Sequence, residues 1–139
     1  AYSIDPKATW VIIDLGTCLT IDLLHEGSFE GGLIAPGIEM RFRAMNAFTA
    51  GLPLVQYNPE ISFPGKSTEE SLQVGVGSSI VYEIQGYIGQ LRALFPALKI
   101  VDCSGYPINF EKEGKNEIFA RPKLLLEGLN TIINQFRNA

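Results

Sequence analysis

The sequence predicts an α/β domain in which a three-stranded antiparallel meander precedes alternating helices and strands. Three β-branched or apolar runs lie close together near the N-terminus and are separated only by short turns. Segments with apolar residues at helical spacing follow, and they alternate with further apolar runs. With 139 residues, 46% of them hydrophobic, the chain is long enough to bury the core of one domain.

The three N-terminal strands are predicted from residue type and turn residues. Thr9–Leu15 is β-branched and apolar, as in a buried strand. Leu19–Leu24 is a second strand that ends at polar turn residues. Phe29–Ile34 is a third, and its glycine pair, Gly31-Gly32, is typical of a bulge or of a close backbone approach.

Two helices are predicted after these strands, on either side of a long loop. Ile38–Ala50 carries apolar residues at spacings of three and four, and residues 52–66 form a loop of a length that is often functional. Residues 67–70 form a capping box at the start of the second helix, in which Ser67 or Thr68 caps and Glu70 reaches back, and Pro96 ends this helix. One apolar face runs along that helix: Leu72, Val76, Ile80, Ile84, Ile88, Leu91 and Phe95.

The C-terminal third is predicted to add two strands and a last helix. Leu98–Cys103 is the fourth strand, residues 104–117 are a polar loop, and Ile118–Ala120 is a short fifth strand. Pro122 suits the first position of the last helix, whose apolar residues are Leu125, Leu129, Ile132, Ile133 and Phe136. This order is that of a ribonuclease-H-like (actin-like ATPase) half-fold, with residues 1–8 as a linker or tail and residues 9–139 as the domain.

Composition excludes several classes of function. The 11 basic residues are scattered and the net charge is −4, so no basic patch for duplex nucleic acid is expected. No apolar stretch approaches the ~20 residues that a bilayer-spanning helix needs. Cys18 and Cys103 form no C-x-x-C pair, and with His25 alone they cannot complete a zinc site. Free thiols and no signal pattern predict a cytoplasmic protein.

The segment Asp14-Leu15-Gly16-Thr17 carries the sharpest chemical signal. Asp14 closes a strand predicted to be buried, where a carboxylate is costly unless a cation or a donor uses it. Gly16 lets a backbone approach a phosphate, and Thr17 offers a hydroxyl and an amide. The segment therefore predicts a loop for a phosphate and a cation. The alternative is an ordinary hairpin turn in which Asp14 accepts from backbone amides.

Two other segments have both a binding and a purely structural interpretation. Residues 32–37 could place backbone amides beside a ligand or simply end a strand. Residues 65–68 stand at a helix N-terminus, where they could bind an anion or hydroxyl or simply cap the helix. His25 lies in a polar turn with no serine or cysteine partner suggested, so no catalytic role is expected for it. Partners are not evident for Asp102 or Glu127, for which solvated or capping roles are expected.

Taken together and in order, four stretches resemble the type III pantothenate kinases, also called Bvg accessory factors. They are VIIDLGTCLTIDLL, GGLIAPGIEMRFRAMNAFTAGLPLV, PGKSTEESLQVGV and PKLLLEGLNTI, and the resemblance extends from Trp10 to Phe136. The resemblance implies an actin-like fold and transfer of a phosphoryl group from ATP to the 4′-hydroxyl of pantothenate, the first step of coenzyme A biosynthesis.

The resemblance also implies roles for individual residues. Asp14 corresponds to the aspartate that binds a monovalent cation, K⁺ or NH₄⁺. Thr17, with Gly16 beside it, corresponds to the ATP contact, and Thr68 to the pantothenate contact. The implied enzyme is a homodimer that uses ATP with Mg²⁺. No nucleic acid or membrane partner is implied.

Other expected features of that family do not occur in this chain. The family has a preceding lobe with D-x-G-N-T and G-x-D-R sequences, and the aspartate of the second is the general base. Neither occurs here, so no catalytic residue is assigned, and the chain is expected to be a C-terminal lobe without activity of its own. Cys103-Ser104-Gly105 also replaces the family's T-G-G.

Two other functions remain open at this stage. The first is a non-catalytic, actin-like dimerisation or binding module with a regulatory role. The second is a lobe of another actin-like kinase for a sugar or acetate, which would not explain the glycine and proline pattern between residues 31 and 55.

Overall fold

The computed structural model describes residues 1–105 and 118–137. These residues form one five-stranded sheet and three helices. The strands are β1 (Trp10–Leu15), β2 (Cys18–His25), β3 (Ser28–Pro36), β4 (Lys99–Asp102) and β5 (Ile118–Ala120). The helices are α1 (Ile38–Ala47), α2 (Thr68–Leu94) and α3 (Leu124–Arg137). The predicted order of elements and the α/β class are confirmed.

The sheet is mixed, with strand order β3-β2-β1-β4-β5. β1, β2 and β3 pair antiparallel as the predicted meander, whereas β4 lies parallel to β1 and β5 parallel to β4. The expected bulge is present: the register between β2 and β3 shifts at Leu23/Leu24, opposite Gly31, whose φ is 114°. Because β1 and β4 are neighbouring parallel strands, their C-terminal ends lie side by side at the same end of the sheet.

The main core lies between one face of the sheet and helices α1 and α2. Val11, Ile13 and Leu15 of β1 point into it together with Phe42 of α1, which is 1% exposed. The predicted apolar face of α2 is confirmed at five positions, which are all buried: Leu72, Val76, Ile80, Ile84 and Ile88. Packing of this stripe, more than helix propensity, holds a helix that contains four glycines.

A smaller cluster covers the opposite face of the sheet. Trp10, Val101 and Leu124 are buried there, with Ala1 and Ala8 packed against them. The N-terminal residues are held against this face, since the Trp10 indole N–H donates to the Asp5 carbonyl at 3.0 Å. Within residues 1–105 and 118–137, no helix is long and apolar enough to cross a bilayer.

The predicted end of α1 is wrong by three residues. The helix ends at Ala47 rather than Ala50, because the apolar residues of the expected last turn have nothing to pack against. Met45 is exposed, and Phe48, the C-cap, is 89% exposed. Without tertiary packing, a last turn has little to hold it.

Helix α3 also differs from its prediction. It begins at Leu124, two residues after Pro122, and Leu124 is its buried residue. The apolar stripe on its other side is exposed: Leu125, Leu126, Leu129, Ile132, Ile133 and Phe136. The periodicity predicted the helix correctly, but the stripe does not face the sheet.

Candidate functional site

The turn between β1 and β2 lies directly against the start of α1. The Gly37 N–H donates to the Thr17 carbonyl at 3.1 Å, and the Gly16 N–H donates to the Cys18 carbonyl at 2.9 Å. A Cβ atom on Gly37 would clash with the carbonyl oxygens of Gly16 and Thr17. Two segments that the sequence singled out separately, residues 14–17 and residues 32–37, are therefore brought into contact.

This contact borders an open pocket of about 310 Å³. Gly16 and Thr17 line it from the turn, and Glu39, Met40 and Arg43 line it from α1. No side chain caps the N-terminus of α1, because its N-cap residue is Gly37. The first-turn N–H groups of a helix have no partner within the helix and favour negative charge. The pocket thus combines a glycine–threonine turn, a helix N-terminus and one side chain of each charge.

The expectation of a buried carboxylate at Asp14 is wrong, because its side chain is exposed. Side chains alternate along β1, so Ile13 and Leu15 point into the main core and Asp14 points to the other face. There the smaller cluster covers Trp10 but leaves Asp14 open. Among the described residues, no hydrogen bond or salt bridge engages the Asp14 carboxylate, so the alternative in which it accepts from backbone amides is not seen.

The end of β4 supplies polar groups beside the end of β1. The Leu15 N–H donates to the hydroxyl of Ser104, which is 8% exposed, at 3.0 Å. The Ser104 N–H donates to the Asp102 carboxylate at 2.8 Å. Asp102 therefore has a partner that the sequence did not reveal. Sequence reasoning also missed Ser104, although a polar residue directly after a strand parallel to β1 was a signal for it.

Cys103 lies close enough to Asp14 and Asp102 for their charges to change the pKa of its thiol. Burial raises the pKa of the Cys103 thiol, and the negative charges of Asp14 and Asp102 raise that pKa further. Both cysteines are free and half-buried. The Cys103 thiol is therefore a reporter of the charge at Asp14.

We expect Asp14→Asn to speed alkylation of Cys103 by iodoacetamide at mildly alkaline pH. Removing the carboxylate charge lowers the thiol pKa, which increases the fraction of reactive thiolate at a fixed pH. The measurement is the alkylation rate, followed by mass spectrometry in a Cys18→Ala background. Glu60→Gln, in an exposed loop, is the control and should leave the rate unchanged. An unchanged rate in Asp14→Asn would contradict the proximity of the two side chains.

Thr68 is not brought to the pocket and stands exposed as the first residue of α2. Of the predicted capping box, the N-cap bond is confirmed at Ser67: the Glu70 N–H donates to the Ser67 hydroxyl at 3.1 Å. The Glu70 carboxylate accepts from the Lys66 N–H at 2.7 Å rather than from the N-cap residue itself. Capping therefore leaves the Thr68 hydroxyl available to another group.

The other two titratable candidates have structural partners. The His25 ring lies 2.7 Å from the Thr9 hydroxyl, measured from Nδ1, and packs against Phe95. Glu127 forms a salt bridge with Arg121 at 3.0 Å. The contacts of His25 are local packing contacts. The salt bridge corrects the expectation that Glu127 has no partner.

Comparisons with known proteins identify the family. Residues 1–90, more than half of the chain, match the family model described as "Type III pantothenate kinase". Proteins named type III pantothenate kinase from Phocaeicola vulgatus and Christiangramia forsetii are 39% and 42% identical over 89% and 92% of this chain. The matches cover 52% and 53% of those proteins, so the chain spans about half the length of the curated relatives it matches.

A solved structure supports the fold. A Baf family protein from Campylobacter jejuni is similar with a TM-score of 0.65 over 99% of this chain and 62% of that chain. At 22% identity this likeness concerns the fold alone. The family match together with the sequence relatives shows that the chain belongs to the type III pantothenate kinase family.

Proposed function

We propose that this chain is the nucleotide- and cation-binding lobe of an enzyme that phosphorylates pantothenate with ATP. The observation that carries the proposal is the pocket shared by the Gly16-Thr17 turn and the N-terminus of α1. Phosphoryl transfer depends mostly on positioning and charge neutralisation. A turn without side-chain bulk at Gly16, beside a helix N-terminus, suits a phosphate group.

In this proposal the ATP phosphates lie against the turn. Gly16 has open space where a side chain would stand, so a phosphate can approach this turn closely. Thr17 offers its hydroxyl on the same turn, and both residues line the pocket. Mg²⁺ enters with ATP as part of the substrate.

Asp14 fits a monovalent cation, K⁺ or NH₄⁺. Its carboxylate is exposed and uncommitted among the described residues, and it stands two residues before Gly16. The described residues contain no group of three or more His, Cys, Asp or Glu side chains that could hold a metal ion. Asp14 would therefore share the cation with backbone or substrate oxygens. Such a cation would supply positive charge beside the phosphates.

The proposed general base lies outside the 139 residues. The family's G-x-D-R sequence does not occur in the chain, and the chain spans about half of its relatives. We therefore propose a two-lobed, actin-like, cytoplasmic enzyme in which this chain is the C-terminal lobe and is inactive alone. The name two-lobed protein is used below for this chain joined to an N-terminal lobe of the family that carries G-x-D-R.

Steady-state kinetics of the two-lobed protein test the two substrate contacts separately. We expect Thr17→Val to raise the KM for ATP and leave the KM for pantothenate unchanged, because Thr17 lines the nucleotide pocket. Thr68→Val should raise the KM for pantothenate and leave the KM for ATP unchanged, since Thr68 lies away from the nucleotide pocket. Loss of one hydrogen bond predicts a change of roughly tenfold. Equal effects of both variants on both KM values would contradict the assignment.

The exposed stripe of α3 favours a second function, association with another protein surface. Six large apolar side chains, among them Leu125, Leu129 and Phe136, are exposed on this helix. An exposed apolar surface of this kind is typical of an interaction site, and it supports a homodimer or a binding module with a regulatory role. Sedimentation of the chain, with calorimetric titration of ATP and pantothenate, separates the functions. Tight dimers that bind neither ligand would favour the module over the kinase.

A further inference from the structure

The pocket contains a cationic side chain for which neither the fold nor the proposed function gives a role. Arg43 lines the pocket beside Gly16 and Thr17 and is exposed. Among the described residues, no hydrogen bond or salt bridge engages its guanidinium. An arginine without a partner, beside a turn that can receive a phosphate, is available to bind an anion.

Arg41, two residues earlier on the same helix, shows the contrast. Its guanidinium donates to the Pro36 carbonyl at 2.8 Å, to the Ser79 hydroxyl at 3.3 Å and to the Glu83 carboxylate. These bonds tie α1 to β3 and α2, so Arg41 is a structural residue. Because residues two positions apart on a helix point in different directions, Arg43 is directed away from α2 and into the pocket.

The other groups around the pocket decide which anion suits it. The uncapped N-terminus of α1 adds positive potential. Glu39 lies on the same helix face as Arg43, four residues earlier, and it also lines the pocket. Glu39 opposes a bare anion, so the pocket favours an extended phosphate chain that can reach Arg43 and the turn while its charge is partly neutralised.

We propose that Arg43 is a further phosphate-binding residue, whose guanidinium binds oxygen atoms of the nucleotide's phosphate chain. This inference rests on the proposed function for the identity of the ligand as a nucleotide. The planar guanidinium can donate two parallel hydrogen bonds to one phosphate, which an ammonium cannot. Arg43 would thus select the phosphate chain, whereas the adenine would contribute little at this pocket.

The test is a titration of the 139-residue chain with inorganic triphosphate, and separately with adenosine, followed by amide NMR shifts. We expect triphosphate to shift the amides of Gly16, Thr17 and the first turn of α1, and adenosine to leave them in place. Arg43→Ala should weaken triphosphate binding by at least about tenfold, the size expected for a charge-assisted hydrogen bond. Arg43→Lys should bind triphosphate with an affinity between those of Arg43→Ala and the unchanged chain. Glu39→Gln should bind bare triphosphate more tightly than the unchanged chain does.

Lys123→Ala, which removes an exposed positive charge elsewhere, is the matched control and should bind triphosphate nearly as the unchanged chain does. The inference is overturned if Arg43→Ala binds triphosphate as tightly as the control, if the turn amides do not shift, or if adenosine shifts them equally. Since the titration contains neither pantothenate nor the second lobe, a two-lobed protein without kinase activity would refute the proposed function and leave this result standing.

Discussion

Gly37→Ala is expected to lower the free energy of unfolding by about 1–3 kcal/mol and to abolish triphosphate binding at the pocket. A Cβ atom at this position meets the carbonyl oxygens of Gly16 and Thr17, which are backbone atoms and cannot move aside like a flexible side chain. The turn and α1 must therefore separate, and the Gly37 N–H loses its bond to the Thr17 carbonyl. Chemical denaturation measures the first effect and the NMR titration the second.

Two other glycines separate the effect on folding from the effect on binding, and Gly51 is the control for both. Cβ atoms on Gly51 and Gly16 meet no atom within 4 Å, and neither residue has a left-handed φ. Gly51→Ala should change the free energy of unfolding by less than about 0.5 kcal/mol and leave triphosphate binding intact. Gly16→Ala should fold equally well but bind triphosphate more weakly, because the new methyl group occupies the space of the phosphate. A Gly37→Ala protein as stable as Gly51→Ala would contradict the close contact between the turn and α1.

Asp14→Asn is expected to abolish activation of the two-lobed protein by K⁺. The amide oxygen carries no formal charge, so the cation loses the carboxylate that we propose holds it, while the size of the side chain is unchanged. The measurement is kcat as a function of K⁺ concentration, at an ionic strength kept constant with tetramethylammonium chloride. The expected variant has a low rate that does not respond to K⁺.

Stability provides the control for this variant. Because the Asp14 side chain is exposed and makes no hydrogen bond among the described residues, Asp14→Asn should unfold at nearly the same denaturant concentration as the unchanged protein. A loss of activity then reports on the cation and not on folding. Unchanged potassium dependence in a normally folded variant would refute the role of Asp14.

Elements with strong local signals were predictable from the sequence. The N-cap at Ser67 and the apolar stripe of α2 placed a long helix correctly, because both signals arise from neighbours within a few residues. The meander was predictable for the same reason, since short turns leave adjacent strands little choice but to pair. The glycine pair likewise marked the bulge in β3 near Gly31.

The environment of the site was less predictable, because it depends on contacts between distant segments. Asp14 is exposed because the smaller cluster covers only part of the second face of the sheet. The sequence of β1 alone does not show how much of that face other segments cover. Ser104 bonds the Leu15 N–H across a separation of 89 residues. Arg41 and Arg43 are two positions apart on α1, yet Arg41 contacts α2 and Arg43 lines the pocket. Periodicity alone could not assign their different roles.

The most direct test of the central claim is detection of 4′-phosphopantothenate by mass spectrometry. The two-lobed protein is incubated with ATP, Mg²⁺, K⁺ and pantothenate, and the 139-residue chain is assayed in parallel. We predict product only with the two-lobed protein, because the chain holds the proposed phosphate and cation contacts but not the general base. A two-lobed protein that folds and binds ATP but forms no product would contradict the proposed function, as would equal turnover by the chain alone.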